Sequence, residues 1–193
     1  MRICVYGASS SELNGRYFDA ARELGRLLAE GGHCLVFGGG DGGLMGACAR
    51  GAAERGGEIL GIAPRFFDEP GVLFPRCSRF LWTETMAERK AAMHRESDAF
   101  IALPGGIGTF EEFFETLTLK QLGRHGKPMA LLNTLDYYEA LMCLLEQAAE
   151  GGFLNRSCFE LFALCASPED ALRHVLTAPS LPGGIDRLAS YNK

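Results

Sequence analysis

The stretch LPGGIGTFEEFFE, residues 103–115, sets a glycine-rich turn directly before a run that carries Glu111, Glu112 and Glu115. Glycines at 105, 106 and 108 strip side chains from the corner, and Thr109 is predicted to begin a helix. A helix start leaves backbone N–H groups without partners and points the positive end of the macrodipole outward. Bare amides so placed form a phosphate cradle. The glutamates need a separate reason. Thr109 and Glu112 have capping-box spacing, and a carboxylate in a first turn is stabilised by about 0.3–1 kcal/mol. One carboxylate would fill that role, whereas three would repel an anion unless one is aimed at another part of the ligand. Glu112 is therefore read as a functional group rather than a cap.

Upstream, TETMAERKAAMHRESDAF places Met86, Arg89, Lys90 and Met93 at i, i+3, i+4, i+7 spacing, on one helical stripe. A solvated face would look the same, but this helix leads directly into the strand that ends at PGGIGT. Arg89 and Lys90 are thus expected close to the cradle, able to neutralise a phosphate or to hold Glu112 ionised and oriented. Two more turns follow strand-like runs. VYGASSS delivers Gly7, Ala8, Ser9, Ser10 and Ser11, whose amides and hydroxyls suit an anion, although a plain turn explains them as well. VFGGGDGGLMGACARGA holds Gly38, Gly40 and Gly43 at G-x-G-x-x-G spacing. A dinucleotide site would need that motif after the first strand, with an acid ending the next one. The next strand, EILGIAP, ends in Ala63 and Pro64, and its Glu58 stands at the wrong end. These glycines are read as letting backbone approach a smaller nucleotide, with tight helix-to-strand packing as the alternative.

The elements that must position these residues alternate in kind. Strands are predicted at 3–6, 34–37, 59–63, 79–82, 99–103 and 128–132, separated by amphipathic segments. Phe18, Ala21, Leu24 and Leu28 mark a helix stopped at Gly31 and Gly32. Further helices are expected at 43–56, 84–97, 109–123 and 135–150, and another with Ser167 as N-cap and Pro168 at its first position. This order predicts a single Rossmann-like α/β domain, residues 1–177, its parallel sheet flanked by helices on both faces, with an irregular tail over 178–193. In such sheets ligands sit beyond the carboxyl ends of the strands, where the three turns lie.

Composition narrows the partners. The net charge of -5 gives no general attraction to nucleic acid or anionic lipid. No run approaches the roughly 20 apolar residues of a membrane helix, and MRICVYGASS lacks the pattern of a secretory leader. The 7 cysteines form no CxxC pair and the 4 histidines have no metal-ligand spacing, so reduced thiols, a cytoplasmic setting, no metal and no cofactor are expected.

MAERKAAM followed by LPGGIGTFEE resembles the Lonely Guy family of cytokinin-activating phosphoribohydrolases, whose members were often labelled lysine decarboxylases. The likeness extends over about residues 1–160, through GASSS, GGGDGGLMGA, GIAP, SDAFIALP, QLGRHGKP and LLNTLDYYEAL, in that family's order. It implies hydrolysis of the N-glycosidic bond of adenosine 5'-monophosphate or an N6-modified relative, giving free base and ribose 5-phosphate, by a homodimer. Arg89 and Glu112 would be catalytic. Gly105, Gly106, Gly108 and Thr109 would hold the phosphate, with Lys90 nearby, Met86 against the base, Thr118 lining the site and Glu69 at the ribose, beside Ser9 and Gly40 of the other turns. The chain departs from the family's TWxQLG at Leu119 and Lys120, on a helix face expected near the subunit contact or pocket rim. Two other functions fit the pattern less well: a non-catalytic carrier on the same scaffold, akin to molybdenum cofactor carriers, and a lysine-anchored decarboxylase, for which neither Lys90 nor Lys127 is well placed.

Overall fold

The computed structural model describes residues 1–180. Seven parallel strands form one sheet: β1 (Arg2–Tyr6), β2 (Cys34–Phe37), β3 (Ile59–Pro64), β4 (Arg79–Thr83), β5 (Ala99–Ala102), β6 (Met129–Leu132) and β7 (Ala163–Cys165), in the order β4-β3-β2-β1-β5-β6-β7. Six α-helices accompany them: α1 (Gly15–Glu30), α2 (Gly43–Glu54), α3 (Met86–Arg95), α4 (Ile107–Gln121), α5 (Glu139–Glu150) and α6 (Pro168–Thr177). Side chains alternate along each strand, so the sheet feeds two cores. Ile3, Val5, Leu35 and Ile101 pack with Leu24, Leu28, Leu44 and Val175 of α1, α2 and α6. Cys4, Tyr6, Val36 and Phe100 pack with Met93, Phe113, Leu117 and Leu145 of α3, α4 and α5. This is the Rossmann-like architecture expected from the sequence.

The chain builds outward from β1 to β4, then crosses back to place β5 on the other side of β1. The switch point therefore lies between β1 and β5, and the crevice beyond their carboxyl ends is where open α/β sheets bind ligands. Among the described residues no helix is long and apolar enough to cross a membrane.

Several boundaries differ from the sequence reading, each for a local reason. Helix α4 starts at Ile107, with Gly106 as its N-cap, so Thr109 lies inside the first turn and the Thr109–Glu112 capping box does not form. Helix α5 starts at Glu139 rather than 135, because Leu135 and Asp136 both hold left-handed φ values, 54° and 56°. Strand β7, three residues long, carried too little pattern to be predicted. The expected N-cap Ser167 does accept from the Asp170 N–H, with Pro168 beginning α6. Of the irregular tail predicted over 178–193, residues 181–193 lie outside the described ones.

Helices α1 and α2 touch through bare backbone. A methyl group on Gly25 would stand 2.0 Å from the Cys48 carbonyl oxygen, and one on Gly51 would stand 1.9 Å from that of Arg22. Neither backbone oxygen can swing aside, so Gly25→Ala must push the helices apart. That variant is expected to lose about 1–3 kcal/mol, the range for overpacking, read as a lower urea midpoint at unchanged slope.

Candidate active site

The three glycine-rich turns are tied to one another at the switch point by backbone hydrogen bonds. The Ala8 N–H, after β1, donates to the Pro104 carbonyl after β5 at 3.1 Å, and the Leu44 N–H, at the start of α2, donates to the Ala8 carbonyl at 2.8 Å. The segment between β3 and β4 folds over the second turn, with Asp41 N–H on the Val72 carbonyl (2.9 Å) and Phe74 N–H on the Gly39 carbonyl (2.8 Å). Together they enclose a cavity of about 650 Å³. Its floor carries Arg89, Glu112, Gly38 and Gly40, and its mouth carries the apolar side chains of Phe67, Val72, Met86 and Ile107.

Arg89 and Glu112 form a buried ion pair that lines the cavity. Thr85 caps α3 by accepting from the Glu88 N–H at 3.1 Å, which fixes the turn that presents Arg89. The guanidinium donates through Nε to the Ile62 carbonyl at the end of β3 (3.3 Å) and through Nη1 to Glu112 Oε1 (2.7 Å). Both side chains are more than nine-tenths buried, 7% and 9% exposed. Burial raises the Glu112 carboxyl above its ordinary value of 4.5, while the charge and hydrogen bond of Arg89 oppose that rise. The short contact aims the carboxylate, and the guanidinium favours its ionised form.

Gly38 makes the arrangement sterically feasible. A methyl group there would lie 2.0 Å from Arg89 Nη2, so the guanidinium occupies the space a side chain would take. Gly43 has φ +57° and backs onto the Ala8 carbonyl, 2.2 Å from where a methyl would sit. Of the three glycines in the G-x-G-x-x-G pattern, Gly40 lines the cavity, where a methyl group would meet Met45 Cε at 3.6 Å, Gly38 makes room for an arginine and Gly43 serves packing. The sequence reading favours ligand approach for all three, with helix-to-strand packing as the alternative, and packing is what Gly43 does.

Nine other site residues are expected from the sequence, and the structure separates them. Ser9, Met86, Gly106, Gly108 and Thr109 line the cavity with Gly40, Arg89 and Glu112. Gly105 stands one layer behind, packed on Thr109, whose Oγ1 lies 2.1 Å from where a methyl would sit. Lys90 does not reach the cavity: its Nζ lies 2.7 Å from Glu111 and 3.1 Å from Glu115, clamping α3 to α4. Thr118 is exposed and outside the lining, because six residues beyond Glu112 is about 240° around a helix. Thr116, on the same side as Glu112, is buried instead, and its hydroxyl donates to the Glu112 carbonyl at 2.8 Å. Glu69 is exposed on the covering segment, outside the lining formed by its neighbours Phe67 and Gly71. Lys120 is buried, not at a rim, and donates to the Leu161 carbonyl at 2.6 Å. Residues missed from sequence include Phe67, Val72 and Ile107 at the mouth. Ile107 alone left a signal, an apolar residue between glycines at a corner.

A Rossmann-like α/β protein with a composite cavity at its switch point, and a buried guanidinium–carboxylate pair inside it, is the class that fold and site define. The chain belongs to the Lonely Guy family: the family model described as possible lysine decarboxylase matches residues 45–175. It is 38% identical over 190 residues to a cytokinin riboside 5'-monophosphate phosphoribohydrolase of Arabidopsis thaliana, spanning 98% of this chain and 83% of the relative. A protein of the same name from Oryza sativa subsp. japonica is also 38% identical, over 98% of this chain and 73% of its own length. Among solved structures, the molybdenum cofactor carrier protein of Chlamydomonas reinhardtii superposes with a TM-score of 0.68 at 24% identity, covering 97% of this chain and 98% of that one. That likeness shows the shared fold. None of the described lysines, Lys90, Lys120 and Lys127, lines the cavity, so the family's decarboxylase label finds no amine at this site.

Gly38→Ala is expected to expel the Arg89 guanidinium from its slot and to lower stability by about 1–3 kcal/mol. A crystal structure of the variant with Arg89 still on Glu112, or an unchanged urea midpoint, would contradict this account.

Proposed function

We propose that the protein hydrolyses the N-glycosidic bond of adenosine 5'-monophosphate or an N6-modified relative, releasing the free base and ribose 5-phosphate. The observation that carries this reading is the Arg89–Glu112 pair, held at 2.7 Å in the same cavity as the helix start at Gly106–Thr109. Among the described residues no side chain caps that helix, so its first amides and dipole are available to a phosphate. A phosphate there brings the attached sugar towards the pair. Breaking the bond between C1' and the base nitrogen builds positive charge on the ribose ring, and a fixed carboxylate in a poorly solvated site stabilises that charge. The bonding electrons leave with the base. Water adds its oxygen to C1', and Glu112 passes the water's proton on towards the departing base. Arg89 holds the carboxylate ionised and in line.

The names of the relatives support the same chemistry, since they are phosphoribohydrolases of cytokinin riboside 5'-monophosphates. The apolar mouth of Phe67, Val72, Met86 and Ile107 suits a base with an apolar substituent. In this reading Gly105 shapes the phosphate turn from behind, and Lys90 acts through Glu111, which lines the cavity. Thr118 and Glu69 have no contact with substrate within one chain. We further propose a homodimer in the cytoplasm. Leu144 of α5 and nearby Phe153 are 61% and 89% exposed, an apolar surface that suits a second copy. The cysteines are free, and burial pushes the Cys4 and Cys48 thiols up to about 12, as for packed reduced residues.

The purified protein is expected to release free base from adenosine 5'-monophosphate or its N6-isopentenyl analogue without added metal. Glu112→Gln should abolish release while the melting temperature stays close to that of the parent. A tight complex that stays intact with every monophosphate tried would favour the carrier function instead. The pH profile is a second test. Activity needs the Glu112 carboxylate, whose pKa is raised by burial, so activity must fall as pH drops through a value above 4.5. An acid limb centred at or below 4.5 would mean that some other group titrates.

A further inference from the structure

The segment between β6 and α5, part of LLNTLDYYEAL, carries the one pair of adjacent non-glycine residues with positive φ among the described residues, Leu135 (54°) and Asp136 (56°). Such conformations are strained and persist only where the surroundings enforce them. Here they turn the chain so that two consecutive tyrosines reach the glycine-rich corner from behind. Tyr137 Oη donates to the Gly105 carbonyl at 2.6 Å, and Tyr138 Oη donates to the Leu103 carbonyl at 2.6 Å. The loop is itself braced by Asn133, whose side chain accepts from the Tyr138 N–H at 2.8 Å and donates to Glu139 at 2.8 Å.

The two bonds differ in what they control. In a trans peptide the carbonyl and the following N–H point in opposite directions, and the described residues contain no cis bond. Drawing the Gly105 carbonyl towards Tyr137 therefore aims the Gly106 N–H the other way. Gly106 lines the cavity, while Tyr137 does not. The Leu103 carbonyl has no such counterpart, because the next residue, Pro104, lacks an N–H. Glycine at 105 and 106 leaves this peptide plane free to rotate unless something holds it.

We propose that Tyr137 is a positioning residue for the anion-binding turn, holding the Gly105–Gly106 peptide so that its N–H faces the substrate phosphate, with the left-handed Leu135–Asp136 pair as the device that places it. The inference rests on the proposed phosphate site. Loss of one hydrogen bond that preorganises a donor predicts about a fivefold weaker hold on phosphate.

The test measures binding of ribose 5-phosphate and of inorganic phosphate by calorimetry, alongside KM and kcat for adenosine 5'-monophosphate. Tyr137→Phe, at a side chain 36% exposed, should weaken both ligands and raise KM about fivefold, with kcat changed less than about twofold. Tyr138→Phe should lower the melting temperature and leave phosphate affinity unaltered, the result a merely structural bond gives. Asp136→Gly keeps the backbone shape and should keep wild-type affinity, whereas Asp136→Val, which cannot hold that φ, should match Tyr137→Phe. Parent-like phosphate affinity in Tyr137→Phe overturns the positioning role and leaves the hydrolase intact. A parent protein that binds neither phosphate nor ribose 5-phosphate overturns both.

Discussion

The ion pair between Arg89 and Glu112 is the constraint around which the site is arranged. Removing two charges from water costs several kcal/mol per ion, and their attraction offsets this only with good geometry and further hydrogen bonds. Both conditions are visible. The contact is 2.7 Å, the Ile62 carbonyl takes a second guanidinium donor at 3.3 Å, and Gly38 vacates the space beside Nη2. A pair of apolar side chains of similar volume would stabilise the fold at least as well, so its presence at the floor of a ligand-sized cavity fits chemistry better than it fits stability.

Topology explains why groups so distant in sequence meet. The reversal of strand order at β1 opens a crevice between β1 and β5, and parallel pairing brings the turns after β1, β2 and β5 to the same rim. Arg89 comes from α3 and Glu112 from α4, the helices on either side of β5 in the chain. A helix entering β5 and one leaving it pack on the same face of the sheet, which lets a cation on one reach a carboxylate on the other. The same juxtaposition brings Lys90 to Glu111 and Glu115, so two layers of charge pairing hold α3 against α4, one in the cavity floor and one at the surface.

Much of this was legible in the sequence, and the exceptions have physical reasons. Six strands and the two-sided helix packing followed from apolar runs alternating with amphipathic ones. Glu112 could be singled out because three glutamates exceed what a cap needs, and Arg89 because its helix leads into the strand before the glycines. What the i, i+3, i+4 stripe could not give was which of two neighbouring residues faces the cavity. Lys90 follows Arg89 by one residue, about 100° further around the helix, and so points at a surface glutamate instead of the cavity. Gly38 and Gly40 look alike as letters, yet one leaves room for a guanidinium and the other lines the cavity beside Met45. Helix α5 starts late because two residues adopt a conformation that helix-forming patterns do not encode. The aromatic covering of the mouth comes from a segment between strands, whose path is set by two backbone bonds to the second turn.

Beneath Glu112 the polar chain continues, and its proton directions can be assigned. Thr116 has one hydroxyl hydrogen, used on the Glu112 carbonyl at 2.8 Å, so its contacts with Tyr6 Oη (3.1 Å) and His94 Nε2 (2.9 Å) must both be received. His125 Nε2 lies 2.9 Å from the Thr116 carbonyl and must donate, while its Nδ1 accepts from the Lys127 N–H at 3.2 Å. His125 is therefore a neutral imidazole protonated at Nε2, and His94 likewise carries its proton there. Burial agrees, lowering both rings to about 4. Between the unfolded value near 6.5 and the native value near 4, the unfolded chain binds these protons and the folded one does not, so acidification through that window weakens the fold from this side. Glu112, raised instead of lowered, acts in the opposite sense, since the folded state takes up its proton more readily than the unfolded chain. The network thus keeps further positive charge away from the Arg89–Glu112 pair at neutral pH, where Arg89, ahead of Lys90, favours the ionised form of Glu112.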